Sequence, residues 1–304
     1  MIKTTYFIIL LLFFYFLISC QDNHAQTSDE KIETEQSIEE IVVDSTTYHY
    51  SWLTNYNYQE ALINVVKMPT GYERVKSIKN SFAAWLQHLP IKTNDNNVYL
   101  YNGNKKRNQN AQFKVVNIDV GDKDLQQCAD AVMRLRAEYL FANNQQAKIK
   151  FNYTNGVSIP FSKWSSGYFP KLQGNKVVWV TAQNNSSYAS FKKYINNIFT
   201  YAGTSSLSKE LQSVDLKDIQ IGDVFIYGGF PGHAVIVVDV AINKTTGDKC
   251  FMIAQSYMPA QNIHVLKNPT NADLSPWYSV SACKNQIITP EWTFETDQLK
   301  RFLE

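Results

Sequence analysis

Three features of the sequence predict an α+β protein. Leu125, Cys128, Val132, Leu135 and Tyr139 recur at helical spacing, so the segment 124–142 reads as an amphipathic helix. Asn155-Gly156 sits between two short β-prone runs, the signature of a tight hairpin. From residue 222 onward, β-branched and aromatic runs alternate with turn residues, as in an antiparallel sheet. A helical first half followed by a sheet gives one α+β domain over 48–304.

The elements follow in order. Ser81–Leu89 reads as a helix stopped before Pro90. Val98–Tyr101 and Phe113–Asp119 read as strands joined by the polar stretch Asn102–Asn110, in which Lys105-Lys106-Arg107 is expected at a solvated tip. Lys148–Tyr153 and Val157–Phe161 flank the Asn-Gly turn, Val177–Ala182 reads as a strand, and Tyr188–Tyr201 as an aromatic-rich helix. Strands are expected at Asp223–Tyr227, His233–Ala241, Cys250–Gln255 and Ile263–Leu266, with edge pieces near Trp277–Ser281 and Trp292–Phe294.

The formal charge of +2 on 304 residues conceals an asymmetry. Residues 21–46 hold eight acids and one base, while the rest of the chain is basic. With 18% charged residues, a highly basic nucleic-acid binder is not expected. Lys3 precedes the apolar run Tyr6–Ile18, shorter than the ~20 residues a spanning helix needs. The run ends in Leu17-Ile18-Ser19-Cys20, which resembles the lipobox of bacterial lipoproteins. The expectation is a signal peptide over 1–19, a lipidated Cys20, and an acidic flexible tether over 20–47. The protein would then be exported and anchored to a bacterial membrane, facing the periplasm or the cell surface. Its basic domain would be suited to peptidoglycan or another anionic envelope polymer.

No HExxH, GxSxG, Walker A or strand-linked GxGxxG pattern occurs, which argues against the common zinc protease, serine hydrolase and nucleotide-binding classes. Chemistry is sought instead in Ile221–Asp239, where a turn, a strand and a Gly/Pro loop lead to His233 at the start of a continuous apolar strand. Glycines 228, 229 and 232 permit close approach and unusual torsions there. By the period of two, His233 shares a face with Val235, Val237 and Asp239. The other histidines, at 24, 49, 88 and 264, have less promising settings. The companion is Cys128. With Asp124 as N-cap and Gln127 completing a capping box, Cys128 lies in or just past the first helical turn, where the helix dipole favours a thiolate. Free cysteines are also commonly inert core residues, and Cys128 lies on the apolar stripe. Asp130, Arg134 and Glu138 form i,i+4 pairs expected on a solvated or ion-paired face. Arg136 is a candidate for a substrate carboxylate, and Trp164, Tyr168, Phe169 and Trp179 for a groove. Tyr227, two residues before the Gly-rich loop's second glycine, is a further candidate contact. Cys250 and Cys283 are candidates for a disulfide.

A helix-borne cysteine followed by Gly222-Asp223, a strand, a loop and Gly232-His233 resembles the NlpC-type branch of the papain-like cysteine peptidases. The resemblance implies a papain-like fold, with the Cys128 helix packed on an antiparallel sheet and an inserted hairpin and helix over 143–211. It implies Cys128 as nucleophile, His233 as base, and a polar residue on the next strand orienting the imidazole. Hairpin geometry makes Gln255 the first candidate orienter and Ser256 the second. No metal or other cofactor is expected. The function so implied is a lipid-anchored amidase or endopeptidase of the cell envelope, with peptidoglycan as candidate substrate. The alternative is a silent relative that binds glycan or a protein partner in the same groove. The run Asp124-Leu-Gln-Gln-Cys-Ala-Asp130 also resembles a Gram-negative lipoprotein family built on a domain of unknown function.

Overall fold

The computed structural model describes residues 48–303. The expected signal peptide, Cys20 and the acidic tether lie outside the described residues. The helices are α1 (Leu62–Val65), α2 (Phe82–Gln87), α3 (Cys128–Ala142), α4 (Phe161–Ser165), α5 (Tyr188–Tyr201) and α6 (Thr204–Glu210). The strands are β1 (Tyr72–Arg74), β2 (Gln112–Val115), β3 (Lys150–Asn152), β4 (Ser158–Pro160), β5 (Tyr168–Gln173), β6 (Lys176–Thr181), β7 (Leu211–Ser213), β8 (Val224–Tyr227), β9 (His233–Asn243), β10 (Lys249–Gln255), β11 (His264–Leu266), β12 (Tyr278–Ser279), β13 (Gln286–Ile288), β14 (Thr293–Glu295) and β15 (Leu299–Phe302).

The fold is mixed α and β, as the sequence leads one to expect. A nine-stranded sheet runs β2-β11-β10-β9-β8-β15-β7, with β1 added to β9 and β12 to β10, and its pairings are antiparallel. Three two-stranded hairpins, β3–β4, β5–β6 and β13–β14, form sheets of their own, not hydrogen-bonded to it. The Asn155-Gly156 turn closes the first of these, with Gly156 at φ +84°, a torsion glycine adopts freely.

Strand β9 is the spine. Its alternate residues enter two hydrophobic clusters, one on each face of the sheet. Ala234, Ile236 and Val238 meet the helices, including Val132 and Leu135 of α3. Val235 and Val237 pack with Phe225, Phe251 and Phe294 on the other face. The register shifts at Met252/Ile253, where β10 passes from Asp239 to Val237. This irregularity breaks the period of two. Asp239 was therefore misplaced by strict alternation. It is bonded to Arg74 Nε at 2.6 Å and to Gln87 Nε2 of α2 at 2.8 Å, away from His233.

Several expected elements differ. Val98–Tyr101 forms only isolated bridges, Tyr99 to Lys105 and Leu100 to Gln261. Cys250 and Cys283 are both free, because Cys250 belongs to the helix-side cluster and Cys283 packs against the opposite one. Arg134 and Glu138 are ion-paired, one of the two expected settings, but buried. The Arg134 guanidinium meets Glu138 at 3.0 Å, Asp119 at 2.9 Å and Gln126 Oε1 at 2.7 Å. Among the described residues, no helix is long and apolar enough to cross a membrane.

Candidate active site

Helix α3 begins at Cys128 itself, with Gln127 as N-cap, not at Asp124. The Asp124 carboxylate is already engaged, accepting from the Ala260 N–H at 2.6 Å and from Gln127 Nε2 at 3.1 Å. Asp130, at the third helical position, accepts the Gln127 N–H at 3.0 Å. Cys128 therefore stands at the first helical residue, closer to the helix start than spacing alone suggests. Its Sγ lies 3.9 Å from the Gly232 carbonyl, which ties the helix start to the end of the loop before β9.

That loop reaches its place through small size rather than unusual torsion. Gly228, Gly229 and Gly232 all avoid positive φ. A Cβ on Gly232 would lie 2.3 Å from Thr204 Oγ1 and 2.5 Å from the Gly229 carbonyl. A Cβ on Gly228 would lie 2.1 Å from Ser208 Oγ. The glycines thus let the loop press against α6 and bring His233 to one wall of a cavity of about 650 Å³.

Cys128 and His233 both line this cavity. His233 is 1% exposed, and its ring packs near Tyr257, Trp292 and Phe294. His233 Nε2 lies 2.8 Å from Gln255 Oε1, so the histidine and the first candidate orienter are in contact. Ser256, the second candidate, does not touch the imidazole. Its hydroxyl lies 2.8 Å from the Gln126 carbonyl and 2.9 Å from that of Gln261, so it fastens the segment leading into α3.

Behind Gln255 lies a set of side chains that sequence spacing did not reveal. Gln255 Nε2 donates to Glu291 Oε2 at 2.8 Å and approaches His264 Nε2 at 3.4 Å. Lys106 Nζ donates to the same Glu291 oxygen and is 8% exposed, so it is no solvated tip. His264 is the neighbour of Gln255 in the β10–β11 register, a proximity that strand pairing implies once β11 is placed beside β10.

Electrostatics run against a preformed ion pair. Burial, with the Asp130 carboxylate adding to it, pushes the Cys128 thiol up to about 11. Backbone N–H groups of Cys128, Ala129 and Ala234 oppose the shift and do not overcome it. Burial takes the His233 imidazole down to about 4, with Gln255 resisting and Lys106 assisting. The helix-start effect, worth about 0.3–1 kcal/mol at an exposed site, is outweighed by desolvation. The pair at rest is a neutral thiol and a neutral imidazole.

The remaining candidates are dispersed. Arg136 is outside this cavity, its guanidinium 4.9 Å from the Phe82 ring and 5.3 Å from that of Phe302. Trp164 is buried in the helix-side cluster and donates from Nε1 to Ser190 Oγ at 3.0 Å. Tyr227 is paired with His233 in register, its exposed ring 6.3 Å from Trp292, and does not line the cavity. The aromatics that do line it are Phe199, Phe230, Tyr257 and Trp292, with Phe230 fully exposed. Asp124 and Asp130 line it as well, and among the described residues no lysine or arginine does. No cluster of three His, Cys, Asp or Glu among the described residues would hold a metal ion.

Neither the curated proteins nor the solved structures contain a match to this chain. A family model matches residues 62–301, a span that takes in Cys128, His233, Gln255 and Glu291. The chain belongs to that family, described as Domain of unknown function (4846).

Proposed function

We propose that the protein is a lipid-anchored cysteine hydrolase of the cell envelope, cleaving an amide or peptide bond, with peptidoglycan stem peptides as candidate substrate. One observation carries the reading: a helix-start cysteine and a histidine bonded to a glutamine at 2.8 Å line a single cavity. The papain-like resemblance of the sequence supports the same roles.

The chemistry follows from the neutral pair. As Cys128 Sγ attacks the carbonyl carbon, His233 takes the thiol proton, so charge separates only in the transition state. The imidazolium then protonates the leaving amine, and the acyl group remains as a thioester on Cys128. Water, deprotonated by His233, attacks the thioester and releases the acid. Backbone N–H groups of Cys128 and Ala129 at the helix start are the available donors for the oxyanion. With the Asp124 carboxylate and no lining lysine or arginine, the cavity favours neutral or amine-bearing groups over anionic ones. Anchoring through Cys20, in the periplasm or on the cell surface, rests on the lipobox-like sequence; a Cys20→Ser variant is expected to leave the membrane fraction.

A second reading is a silent site that binds glycan or a protein partner. It is favoured by one fact: Cys128 and His233 share the cavity without a hydrogen bond between them, though such contacts often form only with substrate bound. The experiment that separates the two is incubation of the full-length protein with purified peptidoglycan and its soluble stem peptides, read by mass spectrometry. Release of new amide-cleavage products by the wild type but not by Cys128→Ala supports the hydrolase. Retention of the polymer without any cleavage supports the binder.

A further inference from the structure

The polar groups behind Gln255 form a chain in which every donor and acceptor role is fixed by chemistry. The Glu291 carboxylate only accepts, and Lys106 Nζ only donates to it. His264 Nδ1 lies 2.8 Å from the Asn262 carbonyl, also purely an acceptor, so Nδ1 carries the proton and His264 Nε2 presents a lone pair. Gln255 thus faces two acceptors, Glu291 and His264, at 2.8 and 3.4 Å. Its amide nitrogen must point at them, because the reverse orientation would set its oxygen against a carboxylate and a lone pair. The amide oxygen is then left to His233, and an oxygen there demands an N–H on His233 Nε2.

We propose that Glu291, held by Lys106 and seconded by His264, is a positioning residue that locks His233 in the Nε2–H tautomer and leaves Nδ1 unprotonated as the proton acceptor. The chain is buried: Gln255 is 1% exposed and His264 is fully buried, so water does not offer Gln255 a competing partner. Glu291 and Trp292 come from the turn between β13 and β14, so this C-terminal hairpin supplies both the anchor of Gln255 and a wall of the cavity. Among the described residues, His233 Nδ1 takes no protein hydrogen bond, as a nitrogen kept free for a substrate-linked proton requires. The catalytic consequence rests on the proposed Cys128–His233 chemistry; the tautomer itself does not.

The test is read by nitrogen NMR on full-length protein with labelled histidine. Lys106 and Gln255 both donate to Glu291 Oε2, while Asn108 Nδ2 donates to Oε1 at 3.2 Å. Glu291→Gln combined with Lys106→Met keeps the shape and removes the donor that would hold an amide oxygen at the Oε2 position. Asn108 then draws the new amide oxygen to its own side, and the new amide nitrogen faces Gln255 and lets that amide turn over. The expected result is Nε2–H in the wild type and a mixture or Nδ1–H in the double variant. Cleavage by the double variant should fall roughly 10- to 100-fold, the range known for outer partners of metal-bound histidines. Nδ1–H in the wild type, or an unchanged Nε2–H in the folded double variant, overturns the proposal. If the double variant does not fold, Glu291→Leu combined with Lys106→Met, which makes the pair apolar, decides by the same readout: loss of the single Nε2–H form supports the proposal and an unchanged Nε2–H overturns it. If the tautomers behave as expected and no variant cleaves anything, the positioning role stands and the hydrolase reading fails.

Discussion

Helix α3 buries titratable side chains at two places, and they are treated in opposite ways. At Arg134 the charges are matched. The guanidinium meets Glu138 and Asp119, Tyr188 donates to Glu138 at 2.9 Å, and Lys192 reaches Asp119 at 2.8 Å. Positive and negative groups are held in contact, and this cluster does not line the cavity at the helix start. At Cys128 the matching is incomplete. Burial pushes the thiol up, the Asp130 carboxyl is raised well above its ordinary range, and Asp130 Oδ1 has no partner. The neighbouring imidazole is driven the other way, to about 4. The first arrangement balances its charges, although Glu138 Oε2 also lacks a partner; the second sets no opposite charge against its buried groups and opens on a cavity. A fold tolerates such cost where reactivity is served by it.

Substitutions at the two places should have opposite signatures. Cys128→Ala is expected to lower hydrolysis by more than about 10³-fold. It should shift the urea midpoint only slightly, since one buried atom is lost, worth about 1 kcal/mol. Arg134→Met should do the reverse in kind, costing roughly 3–5 kcal/mol in the same denaturation series because Glu138 is left buried and unpaired. If Cys128→Ala proved as destabilising as Arg134→Met, the cysteine would be a core residue and the contrast would vanish. Gly232→Ala tests the wall between α6 and the site. Its Cβ has no room beside Thr204, so a loss of about 1–3 kcal/mol is expected, together with weakened cleavage.

The pH dependence sharpens the contrast further. His233 must be neutral to accept the thiol proton, and its low value keeps it so throughout the neutral range. Cleavage efficiency, as kcat/KM, should therefore persist on mild acidification and fall only as pH drops through about 4. A rate that falls already near pH 6.5, the ordinary histidine range, would show an imidazole exposed to water instead. The smallest effect is expected at Phe230, fully exposed at the cavity. Phe230→Ala should leave stability within about 0.5 kcal/mol and raise KM a few-fold if the ring touches substrate.

Local patterns made part of this legible in the sequence. Tyr188–Tyr201 has the bounds of α5 because Ser187 caps it and Phe191, Tyr194, Ile195 and Ile198 repeat on one buried face. The His233–Gln255 contact was readable because it depends on one hairpin, β9–β10. Glu291 and Lys106 were not, since they meet across 185 residues and neither belongs to a periodic run. Lys106 was misread because a basic triplet in an Asn-rich loop looks solvated unless the opposing carboxylate is known. The Arg134–Glu138 ion pair was legible in its i,i+4 spacing and its burial was not, because that spacing specifies a helix neighbour and says nothing about what covers it. The helix start moved from Asp124 to Gln127 because a distant backbone N–H, that of Ala260, uses the carboxylate that local capping rules assigned to the helix.

The most direct test of the central claim uses the protein's own internal control. Burial raises both Cys128 and Cys283 to about 11, yet only Cys128 shares a cavity with an imidazole. Cys283 is also the more exposed of the two. Native full-length protein should be treated with iodoacetamide at neutral pH, and the labelling rate of each cysteine followed by peptide mass mapping, in the wild type and in His233→Ala. If His233 serves Cys128 as base, Cys128 labels ahead of Cys283, and His233→Ala slows it by about 10²-fold without altering Cys283. Labelling of Cys128 no faster than Cys283, or unaffected by loss of the imidazole, would contradict the assignment of Cys128 and His233 as a reacting pair.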